Sequence, residues 1–159
     1  MSKMKFLRPN GGFVGLSEVA IKNMLNSRQL DSSADEAGGM LIGRLIVGTK
    51  DVVIDEITMP TKRDHRGRYL FMRSRWPAQK LINDVWKSSN GTLNYLGEWH
   101  THPEDNPFPS QQDSKNWHKI SKTAFYHQGF LLFLIVGRQT ITAWEVEKKS
   151  GRMSQLFES

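Results

Sequence analysis

Gly97-Glu98-Trp99-His100-Thr101-His102-Pro103 is the stretch on which the reading of this chain turns. Leu93–His100 is apolar enough to be a buried strand. Side chains on a strand alternate with period two, so His100 and His102 point the same way and can share one ion. A loop with three prolines follows, over residues 103–109, and then Ser110-Gln111-Gln112-Asp113 opens a candidate helix over 111–124. From that first turn Asp113 can reach back to the end of the strand. Two imidazoles and one carboxylate make three zinc ligands and leave a fourth position for water, which is the catalytic rather than the structural pattern.

Plainer readings stand beside this one. His-x-His arises often by chance. Ser110 and Asp113 also fit a helix capping box. Glu98 shares the strand face of both histidines and is a rival ligand. Glu36, just before Ala37-Gly38-Gly39, could be an ordinary loop acid.

Outward from this stretch the pattern is that of one mixed α/β (α+β) domain over residues 1–159, a sheet packed by about three helices. Ser17 can cap a helix running through Leu25, and 31–37 is a small, polar loop. Residues 40–47 and 52–57 read as paired strands around the turn 48–51. A charged loop spans 60–68, and a short strand over Tyr69–Arg73 precedes a helix with Pro77 in its first turn. Asn90-Gly91 ends that helix, and 130–136 and 140–146 form a hairpin.

Composition sets the limits. With 159 residues, 38% hydrophobic and 24% charged, five Trp and eight Phe, the chain can build a packed core. It has no cysteine, so disulfides and thiolate metal sites are excluded and any metal must rest on His and carboxylate. No apolar run reaches the ~18 residues of a membrane span, and the basic N-terminus lacks the apolar stretch of a secretory signal. A cytoplasmic location is expected. The net charge is +6, and residues 60–90 carry it: eight Lys and Arg against Asp64 and Asp84. Such a patch attracts acidic protein surfaces or nucleic acid, or merely solubilises the chain. No nucleic-acid motif accompanies it.

His-x-His-Pro, seven residues, then Ser-x-x-Asp, with Glu36-Ala37-Gly38-Gly39-Met40-Leu41-Ile42-Gly43 upstream, resembles the JAMM motif of the JAB/MPN metalloproteases, over about residues 14–146. The resemblance implies a JAB/MPN, cytidine-deaminase-like fold and one Zn2+ per chain. It implies that His100, His102 and Asp113 hold the zinc, that Glu36 moves the proton, and that Ser110 steadies the oxyanion. Position 101, often Ser in eukaryotic members, is Thr here and is expected to point away from the metal. Among JAMM proteins the chain resembles the deconjugating isopeptidases of CBASS antiphage operons, in Glu-Trp-His-Thr-His-Pro and in Thr61-Lys62-Arg63-Asp64. That likeness implies removal of a cGAS/DncV-like nucleotidyltransferase (CD-NTase) from proteins joined to its C-terminus. The alternative is a processing protease that trims a ubiquitin-like or sulfur-carrier protein. Arg63, Arg66 and Arg68 are expected to grip an extended, acidic C-terminal tail of the protein substrate.

Overall fold

A computed structural model describes residues 4–31, 33–59, 65–66, 71–72 and 75–159, with side chains for 4–31, 33–59 and 80–159. In chain order the elements are β1 (Met4–Leu7), β2 (Phe13–Leu16), α1 (Glu18–Asn26), β3 (Gly38–Leu45), β4 (Val52–Ile57), β5 (His65–Arg66), β6 (Phe71–Met72), α2 (Arg75–Ser88), β7 (Asn94–Thr101), α3 (Gln111–Thr123), β8 (Phe130–Val136), β9 (Ile141–Glu147) and β10 (Met153–Glu158). The class is α+β, as the sequence implies. The sheet, however, closes into a barrel in the order β1-β10-β9-β8-β7-β3-β4-β2, with β2–β4 and β7–β8 the parallel pairs. The short antiparallel pair β5–β6 stands apart from it. No helix among the described residues is long and apolar enough to cross a membrane.

Two apolar clusters share the strands. One draws Phe6, Leu16, Leu41, Ile54, Trp99, Leu134, Ala143 and Leu156 from all eight barrel strands, and Ala20 and Met24 of α1 join it. This is the barrel interior. The other lies outside β3, β7, β8 and β9, where Ile82 of α2 and Trp117 of α3 cover Met40, Tyr95, Phe133 and Trp144. On β8, Leu132, Leu134 and Val136 face inward while Leu131, Phe133 and Ile135 face the helices, the period-two split of a strand buried on both sides. Strand closure at the chain ends is stitched by Arg8, which donates to both carboxylate oxygens of Glu145 (2.8 and 3.2 Å) and to the Lys50 carbonyl (2.7 Å).

A bulge decides which face of β7 carries the histidines. Leu41 of β3 pairs with Gly97 but Ile42 pairs with Tyr95, so Leu96 is an extra residue on β7. The insertion reverses the alternation. Tyr95 then shares the helix-covered face with Glu98 and His100, while Leu96, Trp99 and Thr101 face the interior. Gly97 makes it possible: its φ is 144°, and a Cβ there would lie 1.7 Å from the Leu132 carbonyl oxygen.

Candidate active site

His100 is the penultimate residue of β7, and His102 continues the strand through its N–H to the Val136 carbonyl (3.0 Å). Their Nε2 atoms stand 3.1 Å apart. Trp117 packs near the His100 ring, with centroids 6.1 Å apart, and is itself stacked on Phe133 at 4.8 Å. Trp117 therefore fixes α3 against the sheet, and Asp113, one turn earlier on the same helix face, points at the histidines. Its Oδ1 is 3.4 Å from His100 Nε2 and its Oδ2 is 3.1 Å from His102 Nε2.

The capping reading of Ser110 and Asp113 is borne out. The Asp113 N–H donates to Ser110 Oγ (3.0 Å) and the Ser110 N–H donates to Asp113 Oδ2 (2.9 Å). The reciprocal cap holds the Asp113 carboxylate still while its remaining lone pairs face the rings. Cap and candidate ligand are one residue.

Glu36 arrives from the other side. The Ala37 N–H donates to Thr101 Oγ1 (2.9 Å), the Thr101 N–H donates to the Ala37 carbonyl (2.9 Å), and Gly38 pairs with His100. The Thr101 hydroxyl donates in turn to Gln29 Oε1 (2.9 Å), and Gln29 Nε2 donates to the Ala34 carbonyl (3.1 Å). Thr101 thus points away from the site, as expected, and ties down the segment that carries Glu36. The adjoining Gly39 admits the residue just past β4, because a Cβ there would lie 2.2 Å from the Thr58 carbonyl oxygen. The Glu36 side chain is buried, and its carboxylate and the two histidine ring nitrogens all lie within 4.8 Å of one another. It is not a surface loop acid.

Electrostatics separate the two carboxylates. Burial pushes the Glu36 carboxyl up to about 8; the charge of His102 pulls it down and that of Asp113 pushes it further up. Burial also pushes Asp113 up, but hydrogen bonds from His100 and His102, the charge of His100 and the Ser110 N–H outweigh it and hold Asp113 far below the usual carboxylate range. Burial disfavours the charged form of His102, yet Asp113, Glu104 and Glu36 together raise its pKa.

The donor set suits a small divalent cation. Around a tetrahedral zinc with bonds of about 2.0–2.1 Å, neighbouring ligand atoms sit roughly 3.3 Å apart. The 3.1 Å between the two Nε2 atoms is close to that edge, and the Asp113 carboxylate closes the set with one oxygen, Oδ1, 3.4 Å from His100 and the other, Oδ2, 3.1 Å from His102. Glu98, the rival ligand, instead accepts from the Tyr95 hydroxyl (2.8 Å). Sequence reading missed Glu104, whose Oε1 is 2.8 Å from His102 Nδ1, and Gln29. An acid two residues past the second histidine was a visible signal for Glu104. Nothing local marks Gln29. The proposed tail-gripping side chains of Arg63, Arg66 and Arg68 lie outside the described residues, although the backbone of Arg66 belongs to β5.

Residues 18–147 match the family described as prokaryotic homologs of the JAB domain. The chain belongs to this family. It is 39% identical over 112 residues to a CD-NTase/cGAS isopeptidase of Pseudomonas aeruginosa, covering 70% of each chain. A protein of the same name from Escherichia coli is 40% identical over 127 residues, 79% of this chain and 76% of that one. One from Vibrio cholerae is 35% identical over 141 residues, 87% and 85% of the two chains. A solution structure of a protein from Desulfitobacterium hafniense shares the fold with a TM-score of 0.58 at 22% identity, covering 89% of this chain and 88% of that one. The JAB-family protein is a hydrolytic enzyme of the isopeptidase kind.

Proposed function

We propose that this JAB-family enzyme is a zinc isopeptidase that cuts the amide bond between the C-terminus of a conjugated CD-NTase and its target, reversing ubiquitin-like conjugation in antiphage defence. The convergence of His100, His102, Asp113 and Glu36 supports the chemistry. The names of relatives 35–40% identical support the substrate.

In this reading His100, His102 and Asp113 hold one zinc ion. Bound there, zinc supplies Lewis acidity that makes a neighbouring water a better nucleophile near neutral pH. Burial pushes the Glu36 carboxyl up in the metal-free site, and a cation held beside it favours the anion, so the group is poised to take a proton and return it. It removes a proton from the attacking water and delivers it to the leaving lysine amine. Ser110 Oγ accepts the Asp113 N–H, so its own hydrogen remains to be donated to the oxyanion that develops on the scissile carbonyl. Protein groups outside this cluster position the cut. Arg63, Arg66 and Arg68 supply positive charge that favours an acidic, extended tail on the conjugated protein.

The test is a purified CD-NTase joined through its C-terminus to a lysine side chain of a second protein, beside a linear fusion of the same sequences. The enzyme should release intact CD-NTase from the lysine-linked conjugate, and His100→Ala should lose both zinc and cleavage. Cutting only a linear ubiquitin-like or sulfur-carrier fusion would move the enzyme to C-terminal processing. Full zinc retention in His100→Ala would overturn the metal assignment.

A further inference from the structure

We infer that Glu104 is a positioning residue for His102: it fixes the ring so that Nδ1 carries the hydrogen and Nε2 presents its lone pair to the metal. This rests on the zinc site proposed above. His102 Nδ1 and Glu104 Oε1 are 2.8 Å apart, a charge-assisted hydrogen-bond distance. The same ring turns Nε2 toward His100 Nε2 (3.1 Å) and Asp113 Oδ2 (3.1 Å). A carboxylate on the far nitrogen of a metal-binding imidazole sets its tautomer, holds its plane and makes it a stronger donor.

Glu104 can do this because its backbone is anchored. The Arg138 N–H donates to the Glu104 carbonyl (2.7 Å), and the N–H groups of Gln139 and Thr140 donate to the Asp105 carbonyl (3.2 and 3.1 Å). Arg138 Nε also pairs with Asp105 Oδ1 (3.0 Å). The contact needs Gly137, where a Cβ would lie 2.7 Å from the Glu104 carbonyl oxygen and 2.4 Å from Pro107 Cδ. The turn between β8 and β9 therefore clamps the start of the proline-rich loop and aims an otherwise half-exposed carboxylate at one ring nitrogen. The partnership is asymmetric. Glu104 serves the ring of His102, whereas His100 is steadied by the packing of Trp117.

Glu104→Ala, Glu104→Gln and the parent protein should be compared for zinc affinity, by competition against a chelator of known affinity, and for the visible spectrum of the cobalt(II) form. Loss of the carboxylate should weaken zinc about 10–100-fold. Gln, which can still accept from Nδ1, should recover part of that loss. The cobalt spectrum should shift in Glu104→Ala, while the melting temperature of metal-free protein stays within about 2 °C, as expected for an exposed side chain. Parent-like zinc affinity and an unchanged cobalt spectrum in Glu104→Ala would overturn the inference and leave the His100, His102 and Asp113 site standing. If the parent protein itself fails to bind zinc or cobalt, the underlying site assignment fails instead.

Discussion

Two short regions bring a carboxylate to the same histidine pair, and they treat it in opposite ways. Glu36 comes from the segment entering β3, where Ala37 and Gly38 are bonded to the end of β7 and the side chain is sealed from water. Asp113 comes from the first turn of α3, where a backbone N–H, the helix N-terminus and two imidazoles surround it. The first environment favours the neutral acid, the second the anion. When two carboxyls in one site are pushed apart in this way, the readily protonated one suits proton transfer and the permanently ionised one suits a cation.

The sharpest way to break the comparison is to neutralise each acid in turn. Glu36→Gln should keep zinc and lower kcat by about 10²–10⁴-fold, the usual range for loss of a general base. Asp113→Ala should lose zinc, and with it all turnover. Metal analysis and conjugate cleavage on both variants decide the matter. Zinc loss in Glu36→Gln, or zinc retention in Asp113→Ala, would exchange the two roles.

A stability measurement on metal-free protein sharpens the same contrast. The folded-state pKa of Glu36 is raised from 4.5 to about 8. Below pH 4.5 the group is protonated in folded and unfolded chains alike and its contribution is fully present. As pH rises from 4.5 to 8 the unfolded chain releases this proton and the folded one keeps it, so stability falls. Above 8 the loss is complete. Glu36→Gln has no such proton, so its advantage over the parent should be small at pH 5 and grow to on the order of 4 kcal/mol by pH 8. Urea unfolding across that range in the presence of a chelator measures it. Zinc should shrink the gap, since a nearby cation favours the Glu36 anion. An advantage independent of pH would mean that Glu36 is ordinary.

The contrast also explains what was legible in the sequence. His100 and His102 could be paired from strand alternation, and Asp113 joined to them from its place in the first turn of the helix that follows, because each relation is local. Glu36 lies 64 residues before His100, and its approach depends on the Gly38–His100 pairing across β3 and β7. Only the family pattern connected them. The bulge at Leu96–Gly97 was invisible to any periodicity, although it sets the face on which the histidines stand. Helices α1 and α3 and strands β3, β4, β7, β8 and β9 were read close to their observed limits. Strands β1, β2 and β10 were not. β10 buries Leu156 alone and β1 only Phe6, so neither shows an alternation long enough to recognise, and barrel closure went with them. The basic stretch at 60–68 and the strand over Tyr69–Arg73 fall largely outside the described residues, where only β5 and β6 are seen.

Ser110 offers the smallest effect and the finest discrimination, because it belongs to the Asp113 region both structurally and chemically. Its Oγ accepts the Asp113 N–H, a capping bond whose loss costs about 1 kcal/mol. A cap alone predicts that Ser110→Ala lowers the melting temperature by a few degrees and leaves kcat untouched. An oxyanion donor predicts more. Its bond strengthens only as charge develops on the carbonyl, so kcat should fall while KM stays nearly constant. The Asp113 carboxylate would still accept from the backbone N–H of residue 110, so zinc content should be preserved. Ser110→Thr keeps both the cap and the hydroxyl and should recover much of kcat. A lowered melting temperature with parent-like kcat would confine Ser110 to the cap and leave the oxyanion without its proposed side-chain donor.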